Sequence, residues 1–154
     1  MATTQSKPST ALGTAGSLSG RRLLAYTALF YAVAVAAHTF DHYRRGLDTL
    51  TTEVHVTGIV GTVASAIAVA LALFRNRYAA PVAVAVGFAS ALGIAFVHLL
   101  PVRSAFSDPF PGSTVDSLSW AVVLLEIAGA LAFGAAALYA LRGQSMFRAP
   151  TDDE

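Results

Sequence analysis

Four long apolar runs constrain this chain more than any other feature. A helix needs about 20 mainly apolar residues to cross roughly 30 Å of hydrocarbon. Four stretches are of that kind: Leu23 to His42, Val54 to Phe74, Tyr78 to Leu100 and Leu118 to Leu141. Charges or turn residues bound each of them. The expected fold class is therefore all-α, an integral membrane four-helix bundle. Composition agrees. Charged residues make up 12% of the chain, against about 25% in a soluble domain, so too few charges exist to cover a water-facing surface and lipid must cover much of it.

The flanking segments complete the expected layout. Residues 1–20 are rich in Ser, Thr, Gly and Ala and read as a disordered tail. Residues 21–142 form the transmembrane domain, and 143–154 a polar C-terminal tail. Arg75-Asn76-Arg77 is a short link that makes helices two and three antiparallel neighbours. The link from Tyr43 to Glu53 holds Gly46 and a pair of threonines suited to capping helix two. The link from Pro101 to Asp116 is broken by prolines and a glycine, with Phe106 and Phe110 expected at the lipid surface.

Basic residues set the expected orientation, because cytoplasmic loops retain Lys and Arg. Lys7, Arg21, Arg22, Arg75, Arg77, Arg142 and Arg148 fall on one side, and Arg44, Arg45 and Arg103 on the other. This places both termini in the cytoplasm. The arginine and alanine usage fits a bacterial cytoplasmic membrane. A competing expectation is a secretory signal, since Arg21-Arg22 precedes an apolar run ending in Ala34-Val35-Ala36; the run is long for such a signal.

Several function classes drop out. The net charge of +1 gives no footprint for nucleic acid. With no cysteine, thiolate metal sites, iron–sulfur clusters and disulfides are excluded. No phosphate loop, dinucleotide fingerprint or zinc-protease motif is present, and the Glu-x-x-His pattern of di-iron bundles is missing. Tyr26, Tyr31, Tyr43, Tyr78, Trp120 and Tyr139 read as interfacial anchors.

What remains is a gathering of histidines. The chain has four, His38, His42, His55 and His98, and the four crossings bring all of them to one membrane face, the extracytoplasmic one. His38, Asp41 and His42 share a helix face in a His-x-x-Asp-His arrangement. His55 lies at the start of helix two, in phase with Gly58, Thr62 and Ser65. His98 lies near the end of helix three, in phase with Ala95, Ala91 and Gly87. Small residues at this spacing let membrane helices approach, which points His55 and His98 at neighbouring helices. Glu126 sits about 13 Å into helix four, where an ionisable group is a functional candidate by default.

Imidazole nitrogen with carboxylate oxygen suits zinc, iron or copper(II), with His38, Asp41, His42, His55 and His98 as candidate metal ligands and Glu126 as a buried carboxylate beneath them. A b-type haem is the other cofactor candidate, held by His38 and His98, or by His42 or His55 in their place, with gaps at Gly58, Gly61, Gly87 and Gly93. Two cofactor-free expectations stand beside these: a proton-coupled transport component using the histidines and Glu126, or an accessory membrane subunit. Expected partners are membrane lipid and either a homo-oligomer or a larger membrane complex, with no nucleic acid. No catalytic residue, reaction or substrate follows from the sequence.

Overall fold

The computed structural model describes residues 10–101 and 103–145. Four helices account for nearly all of them: α1 (Thr10–Arg45), α2 (Thr52–Leu73), α3 (Ala79–Leu99) and α4 (Ser117–Ser145). All four are long and apolar enough to cross a membrane, the spanning part of α1 being Ser19–Arg45. The chain is a transmembrane four-helix bundle. Leu29, Val33, Ile59, Val60, Val63, Leu124 and Leu131 are exposed on its outside, where lipid covers them. Helix α1 starts at Thr10, well before Leu23 and inside the stretch expected to be a disordered tail. Extending an existing helix needs no new nucleus, and this stretch has no proline after Pro8 to stop it. Residues 1–9 and 146–154 lie outside the described residues.

The ends of the helices follow from local chemistry. Thr51 caps α2, its hydroxyl accepting from the Val54 N–H at 3.2 Å, as the threonine pair suggested. The far end of α2 closes with Arg75 in the left-handed region at φ 55. The Arg75 N–H bonds to Ala72 O at 3.2 Å and the Asn76 N–H to Leu71 O at 2.9 Å, which satisfies carbonyls that the helix end would leave bare. Asp116 opens α4 by accepting from the Ser119 N–H at 2.9 Å. Tyr31 and Ala34, in the run that also reads as a signal, are fully buried parts of the bundle.

Close helix approach is carried by glycine at two contacts. A Cβ on Gly87 of α3 would stand 2.7 Å from Ala130 O and 2.8 Å from Gly134 N on α4. One on Gly129 of α4 would stand 3.3 Å from the Tyr31 Cα on α1. Helices α1, α3 and α4 thus form a tight trio around Ala28, Tyr31, Ala83, Ala91, Ala130 and Phe133. Tyr31 is not an interfacial anchor: its ring stacks on Phe133 at 5.5 Å and its hydroxyl pairs with Ser65 Oγ at 2.7 Å.

Helix α2 joins this trio along only part of its length. Ser65, Ala68, Val69 and Ala72 are buried, whereas positions 56 to 63 are all exposed. Gly58 and Gly61 on α2 and Gly93 on α3 have nothing within 4 Å of where a Cβ would stand. The first half of α2 therefore leans away and leaves a wedge-shaped cleft of about 560 Å³ against α1 and α3.

Candidate metal centre

Helix α1 presents His38 and His42 one turn apart, with ring centroids 4.6 Å from each other. His98, near the end of α3, completes a triangle at 5.0 Å from His38 and 5.6 Å from His42. One nitrogen from each ring lies within 4.8 Å of the other two. His38 and His98 are buried at 7% and 2% exposure, and His42 is half-buried.

One nitrogen of His38 and one of His98 are engaged by hydrogen bonds. His38 Nδ1 is bonded to Glu126 Oε2. A carboxylate accepts, so this nitrogen carries the proton and Nε2 keeps its lone pair. His98 Nδ1 donates to the Asp108 carbonyl at 3.1 Å, which leaves Nε2 as the lone-pair nitrogen there too. His38 Nε2 and His42 Nδ1 are buried with no hydrogen-bond partner among the described residues. Two unpartnered ring nitrogens in a buried cluster are costly unless something binds them.

The surroundings explain how the rings are held. The Asp108 N–H bonds to Val97 O at 3.0 Å and the Phe110 N–H to His98 O at 2.9 Å, so the Pro101–Asp116 link folds back over the end of α3 and satisfies its last carbonyls. Phe110 is 1% exposed. It covers His98 at 4.7 Å and meets Trp120 edge-on at 5.4 Å, rather than lying at the lipid surface as expected, while Phe106 is exposed. Arg45 lies over the Phe110 ring at 5.1 Å and donates to Asp108 Oδ2 at 2.6 Å.

Of the residues singled out from sequence, the fold brings together His38, His42, His98 and Glu126. Glu126 and His38 are in direct contact across α4 and α1. Asp41 is buried but engaged elsewhere, paired with Arg44 at 2.7 Å. Arg44 also reaches Asp116 at 2.8 Å and Ser119 Oγ at 3.0 Å, so this pair ties the end of α1 to the start of α4. His55 is half-buried and lines the cleft, outside the three-imidazole group. Its neighbour Glu53 is exposed. Asp108, Phe110 and Arg45 went unnoticed as supporting residues, because a link without periodicity gives no phase from which to read direction. The only available signal was an acidic residue in a segment facing the same end as Arg44 and Arg45.

Arg44 and Arg45 are paired with Asp41, Asp108 and Asp116, while Glu126 meets only an imidazole at this site. A carboxylate buried at membrane depth calls for a compensating charge. No family model, curated protein or solved structure matches the chain.

Proposed function

We propose that His38, His42 and His98 hold one divalent transition-metal ion, with Glu126 orienting His38 from behind. The observation that carries this is the pair of buried, unpartnered nitrogens, His38 Nε2 and His42 Nδ1, in a group of three imidazoles that each offer a nitrogen within 4.8 Å of the others. Metal-bound histidines characteristically donate their other N–H to a carboxylate or a backbone carbonyl. His38 and His98 do so, to Glu126 and Asp108. Three neutral imidazoles with an open fourth position make a pattern typical of catalytic zinc, and iron or copper(II) accept the same donors. Metal–nitrogen bonds near 2 Å put the nitrogens about 3.4 Å apart, so loading draws the rings inward by about an ångström. The ion would supply a Lewis acid beside the cleft.

Haem b fits the geometry less well. Two imidazoles on opposite sides of one iron, each at about 2 Å, have ring centroids about 6 Å apart with a porphyrin between them. His38 and His98 are 5.0 Å apart, edge to face, and His42 and His98, 5.6 Å apart, have the His38 ring within 5.0 Å of both, where the porphyrin would have to pass.

The test is metal analysis of the purified protein with its visible spectrum. One equivalent of metal is expected, with no intense haem band. His38→Ala, His42→Ala and His98→Ala should each abolish stoichiometric binding, whereas His55→Ala should retain it. Equal retention in all four variants would reject the site.

A further inference from the structure

The cleft beside α2 is continuous with the three-histidine cluster. Its wall includes His38, His42, His98 and Glu126, and elsewhere it is largely apolar, with Val54, Val63, Val86, Ile94 and Val97 among its lining residues. From Val54 to Ser65 it follows α2 for about 16 Å at 1.5 Å per residue, roughly the length of an extended chain of a dozen carbons. Gly58, Gly61 and Gly93 keep it open. Val60 and Val63 are exposed beside it, so it opens sideways at membrane depth. Its volume of about 560 Å³ lies within the range of small-molecule sites.

We infer that this cleft admits a lipid-soluble, single-chain amphiphile whose oxygen-bearing head reaches the fourth position of the metal while its chain lies along α2. The inference rests on the metal reading for the head, and on the cleft alone for the chain. A molecule arriving from hydrocarbon gains no hydrophobic energy by moving its chain into an apolar wedge. Selection must then come from the head, from the oxygen-to-metal bond and from the histidines around it. The chain places that head in register by lying along the part of α2 that lines the cleft, down to Ser65.

Two measurements on the full-length protein in lipid nanodiscs test this. In the first, cobalt(II) is loaded and its visible bands are followed during titration with dodecanoate, dodecanol or acetate. Dodecanoate and dodecanol distinguish an ionised head from a hydroxyl. At least one of them should perturb the bands at a tenfold or lower concentration than acetate. In the second, a photoreactive dodecanoic acid is cross-linked and the labelled peptides are mapped. Label should concentrate in residues 58–65 and 86–94, with and without cobalt. Gly61→Phe and Gly93→Phe, made separately, fill the wedge and should each reduce that label at least fivefold. Cobalt stoichiometry, unchanged, shows that the variants are folded at the site. Label spread evenly over the outer face of α4 near Leu124 and Leu131, or indifferent to both phenylalanines, overturns the inference. So does equal cleft labelling by a two-chain phospholipid probe. If cobalt fails to bind while cleft labelling persists and is blocked by phenylalanine, the metal reading falls and the cleft remains a chain site.

Discussion

At the scale of single residues, the contact that matters most is Glu126 with His38. Orienting carboxylates behind metal-bound histidines typically matter by 10–100-fold in affinity. Glu126→Gln keeps the size of the side chain but accepts less strongly from Nδ1, so metal affinity should fall by about that factor, measured by competition with a chelator of known strength. Asp41→Asn should leave affinity within about threefold, because Asp41 is turned to Arg44; a larger loss would assign it a role behind the histidines. The sequence made His38 and His42 legible through their four-residue spacing and His98 through its place at a helix end. The contact of Glu126 with His38 was not legible, because neighbours on one helix are visible in a string and neighbours across helices are not. Asp116 gives a separate, pH-dependent expectation. The Ser119 backbone N–H first, and the Arg44 guanidinium second, pull its carboxyl down from 3.8 to about 2. A depressed folded value means that its contribution is complete above the unfolded value and is lost as pH falls toward the folded one. The difference in thermal stability between the native chain and Asp116→Asn should thus be flat above about pH 5 and shrink toward pH 2. A difference that grows on acidification would contradict the assignment.

At the scale of elements, the four crossings were legible from apolar run length alone, with ends correct to within a few residues except at the start of α1. The way they pack was not. Gly58 and Gly87 are equivalent in the sequence, each a glycine in an apolar helix in phase with a histidine. In the structure Gly58 faces open space, whereas a Cβ on Gly87 would meet the backbone of α4 at 2.7 Å. Backbone atoms cannot swing aside as a side chain can, so α3 and α4 would have to separate. Gly87→Ala should destabilise the bundle by about 1–3 kcal/mol, while Gly58→Ala should be neutral or slightly stabilising through helix propensity. Unfolding both variants in mixed micelles with increasing denaturing detergent checks the contrast. The lean of α2 was hidden for the same reason. Its apolar residues are spread around its circumference, so no face marks which half would pack.

At the scale of the whole molecule, the open question is which side of the membrane holds the histidine centre. Among the described residues, Arg21, Arg22, Arg75, Arg77 and Arg142 stand at the opposite end from Arg44, Arg45 and Arg103. We propose on this asymmetry that the centre faces away from the cytoplasm. The two residues that weaken it, Arg44 and Arg45, have structural work at that end. Arg44 joins α1 to α4 through Asp41 and Asp116, and Arg45 holds Asp108 beneath His98. Fold requirements account for their position, so they need not be read as topology signals. Reporter fusions at residue 76 should then report cytoplasm, and fusions at residue 112, in the link that covers the cluster, should report the outside. The opposite outcome would leave the bundle and the cluster intact but turn the centre toward cytosolic metal and cytosolic reductant. The cleft would remain open to the hydrocarbon in either case, because its exposed flank lies along the spanning part of α2. Orientation therefore decides where the ion comes from, while the lean of α2 decides what can approach it.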